Sequence, residues 1–215
     1  MLLSREDKIV ALLSKEVGKT QAIIQFDNPF KVLISTILSQ RTKDSNTAKA
    51  SKNLFSRFST PKTLAKASLT EIESLIKPSG FYKVKARYLK KVSQELIEKH
   101  NFLVPDNIQE LTALTGVGHK TAACVMVYGF SKEEIPVDTH VARISQRLKL
   151  TTKTKPSEIW LDLKANLSRK HWLKLNELMV KFGQKKCFPR NPNCPSCSLH
   201  NYCLYFEENG LKHKL

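Results

Sequence analysis

The chain has 215 residues, 41 % of them hydrophobic and 26 % charged, enough to bury a core without disulfides, which excludes a wholly disordered or collagen-like protein. Lysine and arginine number 36 against 19 aspartate and glutamate, a formal net charge of +17; such an excess points to a polyanionic partner, a merely basic surface being the alternative. The N-terminus, Met1-Leu2-Leu3-Ser4-Arg5-Glu6-Asp7, carries charges where a secretory peptide needs an apolar stretch, and the run Val32 to Leu38 contains Ser35 and Thr36, so neither export nor a membrane span is expected.

Helical periodicity dominates. Asn28-Pro29 reads as an N-cap with a first-turn proline, and Phe30, Leu33, Ile34, Ile37 and Leu38 then recur on one face, predicting a mostly buried helix. Ser68 with Glu71 forms a capping-box pattern, Gly80 breaks the chain, and Leu89, Val92, Leu96 and Ile97 stripe a helix ending near His100. Asn101 to Val104 has extended character, and Pro105-Asp106 is expected to start a short helix. Farther on, Pro156-Ser157 opens a stripe of Trp160, Leu163 and Leu167, and Trp172, Leu175, Leu178, Met179 and Phe182 continue at helical spacing to Gly183. These aromatics read as core. With alternating β patterns otherwise missing, the expected class is all-α.

Leu114-Thr115-Gly116-Val117-Gly118-His119-Lys120-Thr121 lies between the short helix and an apolar helix running to about Tyr128. Two glycines are expected to take positive φ and bring the backbone close to a partner, while amides at the following helix N-terminus face outward at its positive dipole end. Such a turn grips a phosphate without reading base edges. A Gly-x-Gly turn can equally be a plain helix connection.

This run resembles the helix-hairpin-helix of the DNA glycosylase superfamily, and Pro136-Val137-Asp138-Thr139-His140-Val141-x-Arg143 resembles the Gly/Pro-plus-Asp element that follows it. The resemblance implies DNA contacts from Gly116, Val117, Gly118, His140 and Arg143. It also gives Lys120 a role that lysine chemistry supports, since an unprotonated amine attacks the sugar C1′ and forms a Schiff base, allowing strand cleavage by β-elimination. Asp138 would offset positive charge on the sugar and relay the lysine's proton. Its other reading is a helix N-cap, and both can hold together.

Reaching C1′ of a stacked nucleotide requires extruding it and filling the gap. Gly80-Phe81-Tyr82-x-x-Lys85-Ala86 resembles the superfamily's wedge loop, with Phe81 entering the stack, against the alternative of core packing. Leu38-Ser39-Gln40-Arg41-Thr42-Lys43-Asp44 resembles the loop that meets the opposite strand, a role open to Gln40 or Arg41.

Four of the five cysteines follow as Cys187-x6-Cys194-x2-Cys197-x5-Cys203, next to Lys185, Lys186 and Arg190. Four thiolates on a short loop suit metal ligation in a reducing compartment better than disulfides, holding either an iron-sulfur cluster or a tetrahedral zinc. The 6-2-5 spacing resembles that of the endonuclease III family, and the likeness runs from Asn28-Pro29-Phe30 to Cys203. It implies a structural [4Fe-4S] cluster on the four cysteines, with Lys185, Lys186 and Arg190 turned to phosphates. The implied fold has two helical lobes with DNA in the cleft between them. Residues 22–132 make a six-helix barrel with the hairpin, and residues 1–21 and 133–215 make a helical domain with the cluster loop. The implied activity is a monomeric, cytoplasmic, nucleoid-associated enzyme of a prokaryotic cell that excises oxidised pyrimidines from duplex DNA and cleaves abasic sites. The alternatives are a monofunctional glycosylase for mispaired thymine or adenine, and a non-catalytic iron-sulfur DNA-binding protein. Cys124, alone on the apolar helix, reads as a small buried residue.

Overall fold

The computed structural model describes residues 3–18 and 28–209. The chain divides into two compact units, Ile24–Lys132 and Met1–Ile23 with Glu133–Leu215; the junction expected between residues 21 and 22 lies outside the described residues. Every regular element among those residues is helical.

Helix α1 (Arg5–Val17) belongs to the discontinuous unit, and seven helical segments then build the contiguous one: α2 (Pro29–Ser39), α3 (Asp44–Phe55), α4 (Pro61–Lys66), α5 (Leu69–Ile76), α6 (Tyr82–His100), α7 (Ile108–Ala113) and α8 (His119–Phe130). Helix α2 starts where the sequence says, with Asn28 Oδ1 accepting the Phe30 N–H at 2.8 Å. Val32 to Leu38 are all buried, because a helix apolar all round is stable only when enclosed, and α3, α6 and α8 pack around it. Its polar side chains are satisfied locally: Thr36 Oγ1 donates to the Val32 carbonyl at 2.7 Å and Ser35 Oγ accepts from Ser51. The Ser68–Glu71 capping box forms as read.

Two local expectations fail. Asn101 and Phe102 are not extended but left-handed, at φ 48° and 65°, because the chain must reverse at the end of α6; the Phe102 N–H bonds back to the Leu96 carbonyl at 2.9 Å. The short helix begins at Ile108 rather than at Pro105-Asp106, since Asn107 supplies the cap, accepting the Glu110 N–H at 2.9 Å.

The discontinuous unit adds α9 (Thr139–Arg147), α10 (Pro156–Asn166), a 3₁₀ turn at Arg169–His171, α11 (Trp172–Lys185) and α12 (Leu204–Asn209). Its core joins Ile9 and Leu13 of α1 to Val141 and Ile144 of α9 and to Leu175, Met179 and Phe182 of α11. Trp172 is buried with its Nε1–H on the Leu167 carbonyl, while Trp160 is half-buried and donates to the buried Glu134 carboxylate. Asp7 ties α1 to the turn before α11 through His171 Nε2, 2.6 Å away, and Lys170; these hydrogen bonds hold its carboxyl below the usual range.

Candidate functional site

The hairpin is shaped by α6. Gly116 alone takes a positive φ, 78°, and a Cβ built there would stand 2.7 Å from the Tyr88 ring. Thr115 is held by the buried Glu95, whose carboxylate accepts its N–H and its hydroxyl, both at 2.8 Å. Gly118 departs from the expectation for the pair: φ is −90° and a Cβ would meet nothing within 4 Å. Any residue can adopt that backbone, so in the protein by itself Gly118 leaves a clear approach to the start of α8 and supplies no capping oxygen there. Val117 is buried and its N–H is spent on the Leu114 carbonyl, which removes it from the expected DNA contacts. Lys120, second residue of α8, is exposed.

The glycines give an expected contrast. Gly116→Ala loses about 1–3 kcal/mol of stability through left-handed strain and the Tyr88 ring. Gly118→Ala keeps its urea midpoint and weakens duplex binding, measured by fluorescence anisotropy. A destabilised Gly118→Ala would remove the argument that this glycine serves an approaching partner.

Gln40 and Arg41, left open by sequence, are separated by their contacts. Gln40 Nε2 donates to the Gly116 carbonyl at 2.9 Å and to Thr121 Oγ1 at 3.3 Å, so its amide braces the hairpin. Arg41 is exposed at φ 51°, its guanidinium 5.8 Å from the Phe81 ring. Phe81 is itself 61 % exposed at φ 58°, which excludes the core-packing reading. Lys85, which lies in the same 80–86 motif as Phe81, is buried beneath these loops.

In the other unit, Asp138 is the N-cap of α9: Oδ1 accepts the Val141 N–H at 2.8 Å. His140 and Arg143 face α11 at Gly183, where a Cβ would stand 2.3 Å from His140 Nδ1 and 2.8 Å from Arg143 Nη2. Arg143 donates to the Cys187 carbonyl at 2.8 Å, so its guanidinium braces the cysteine loop instead of lying open to phosphate. Lys186 is corrected likewise. Its Nζ pairs with Glu16 at 2.6 Å and donates to the Ser196 carbonyl, and Glu16 also accepts the Ser198 N–H. Burial raises the Glu16 carboxyl, but the Lys186 and Ser198 hydrogen bonds outweigh it and leave it below its ordinary value. Lys185 and Arg190 are exposed.

Cys187, Cys194, Cys197 and Cys203 line one cavity of about 350 Å³ including its solvent-open part, with Ile144, Leu148, Phe182 and Leu199 among its walls. Arg147 Nη1 donates to Cys187 Sγ at 3.1 Å. Among the described residues no three His, Cys, Asp or Glu side chains converge on a point that could hold a metal ion; the thiols surround a space. Four cysteine sulfurs lining one cavity are a donor set that suits an iron-sulfur cluster or a tetrahedral zinc. Burial pushes the Cys197 thiol up to about 11 and raises Cys194 and Cys203, so ligation must displace protons. Cys124 is buried, as read.

Residues 34–169 match the model of the HhH-GPD superfamily of base excision DNA repair proteins, the class that an all-α chain with this hairpin already indicates. The chain is 47 % identical over 183 residues to endonuclease III of Thermotoga maritima, covering 85 % of this chain and 86 % of that one. It is 32 % identical over 200 residues to endonuclease III of Synechocystis, covering 93 % and 91 %. A solved trapped endonuclease III–DNA covalent intermediate superposes with a TM-score of 0.89 at 32 % identity, covering 98 % of this chain and all of that one. The chain belongs to the endonuclease III family, base-excision-repair DNA glycosylases with an associated abasic-site lyase. No helix among the described residues is long and apolar enough to cross a membrane.

Proposed function

We propose that the chain acts as a monomer on nucleoid DNA, excising oxidised pyrimidines such as thymine glycol from the duplex, with Lys120 Nζ as nucleophile. The observation that carries this reading is an exposed lysine in the first turn of α8, just past the open Gly118 approach. The unprotonated amine forms a bond to C1′ as the bond from C1′ to the base breaks. The base departs with the bonding electrons and takes up a proton. Ring opening gives the Schiff base, and loss of a C2′ proton expels the 3′ phosphate. The Asp138 carboxylate, fixed by its cap bond, offsets charge on the sugar and accepts the lysine's proton. Gly116, Gly118 and the α8 N-terminus hold a phosphate through main-chain groups. Phe81 fills the vacated stack and Arg41 meets the opposite strand. His140 stands at the start of α9 beside Asp138, and the exposed Lys185 and Arg190 contact the backbone.

The cysteines hold a [4Fe-4S] cluster whose chemistry is structural: four bonds order a loop with little apolar content of its own. The protein purified without oxygen damage is expected to be yellow-brown with stoichiometric iron and sulfide, and Cys197→Ala to lose that colour together with thermal stability. A colourless, zinc-loaded and active preparation overturns the cluster. The test of the whole function is incubation with duplexes holding thymine glycol or an abasic site, followed by borohydride. A covalent adduct supports it; strand-intact products with a bare abasic site favour the monofunctional alternative, and binding without either product the non-catalytic one.

A further inference from the structure

Lys85 is 3 % exposed, and no salt bridge among the described residues involves it. Its ammonium is met by oxygens alone: the Leu38 carbonyl at 2.7 Å, the Gln40 carbonyl at 2.6 Å, Thr42 Oγ1 at 2.9 Å and Ser79 Oγ at 2.8 Å. Burying an ammonium without a counter-charge is costly unless its donors are fully engaged, so this arrangement is a specific device. Burial alone pushes its pKa down to about 8, while carbonyls at the C-terminal end of α2 favour the charged form.

The partners come from the two loops that present exposed side chains. Leu38, Gln40 and Thr42 flank Arg41; Ser79 precedes Gly80 and Phe81. The same atoms join the loops to each other, with the Gly80 N–H on Thr42 Oγ1 at 3.2 Å and Ser79 Oγ donating to the Leu38 carbonyl at 3.0 Å. Gln40, fixed through its carbonyl by Lys85, passes the tie to the hairpin through its amide on Gly116. Arg41 and Phe81 both hold left-handed backbones, a state that residues with a Cβ enter only when their surroundings impose it. Phe81 is the N-cap residue of α6, and its side chain makes no capping hydrogen bond there.

We infer that Lys85 is a positioning residue: its buried ammonium clamps the 38–42 and 79–81 loops together and so holds Arg41 and Phe81 at a fixed spacing for entry into the DNA stack. The stack-entry part rests on the reading of Arg41 and Phe81 given above; the clamp does not.

Two measurements separate these parts. Hydrogen exchange on the full-length protein compares wild type with Lys85→Met, which keeps an unbranched apolar stem and removes the ammonium. Amides of residues 39–42 and 79–82 are expected to exchange at least tenfold faster, with the α6 amides beyond residue 89 unchanged. Thr42→Val, which removes one acceptor and leaves the core filled, should give a smaller acceleration in the same segments and covers the case of a Lys85→Met protein that does not fold. Unchanged exchange in 39–42 and 79–82 of the folded variants overturns the clamp, as does acceleration spread over the whole unit. Single-turnover excision from a thymine glycol duplex then completes a double-mutant cycle of Phe81→Ala with Lys85→Met, or with Thr42→Val if Lys85→Met does not fold. Each single change is expected to slow excision, and the double variant to be within twofold of the slower single. Multiplying losses overturn the positioning role. If Phe81→Ala and Arg41→Ala leave duplex excision unchanged, the stack-entry reading fails, and the exchange data still decide the clamp.

Discussion

Lys120→Ala is expected to yield no borohydride-stable adduct with abasic duplex DNA and to lose lyase activity by about three orders of magnitude or more, while keeping duplex affinity within about threefold. The side chain is exposed on a helix whose packing is carried by other residues, since Thr121 to Val127 are the buried ones, so truncation removes an amine without removing a core contact. The binding change stays small because one cation among many phosphate contacts contributes a minor share of the electrostatic affinity. Strand cleavage and trapping are read on denaturing gels, binding by anisotropy at fixed salt. Undiminished trapping would move the Schiff base to another amine and end the assignment of Lys120.

Asp138→Asn separates two roles that one carboxylate combines. Asparagine caps helices as well as aspartate does, so the bond from Val141 N–H to the side-chain oxygen survives and the unfolding free energy of the protein in urea is expected to hold within ~0.5 kcal/mol. The negative charge is gone, and excision of thymine glycol is expected to slow by roughly 10²–10³-fold, the scale on which removal of one preorganised electrostatic partner acts. Single-turnover kinetics at saturating enzyme read the chemical step directly. If the variant unfolds instead, the carboxylate is chiefly structural; if it excises at the wild-type rate, Asp138 has no part in the chemistry.

Much of the candidate site was legible because its logic is local. A cap and the amide it receives lie two or three residues apart, which is why Asn28, Ser68 and Asp138 could each be read as N-caps from their neighbours, and each one is. The cysteine spacing is local in the same sense, and the four thiols do line one cavity. The glycine pair was half read. Sequence sees two glycines in a turn, but only the backbone shows that Gly116 needs its missing side chain for φ and for Tyr88, whereas Gly118 does not.

Sequence therefore determined the helical class, the hairpin with its lysine, the capping aspartate and the cysteine loop, because helix periodicity, caps and ligand spacing all act over a few residues. Tertiary structure alone decided which charged groups are spent on holding the protein together. Lys85 reaches acceptors 47 and 45 positions away, Arg143 a carbonyl 44 away and Lys186 a carboxylate 170 away. A lysine that faces solvent and one that clamps two loops are the same letter in the sequence, and the cost of burying the charge is met only by oxygens that folding brings from far along the chain.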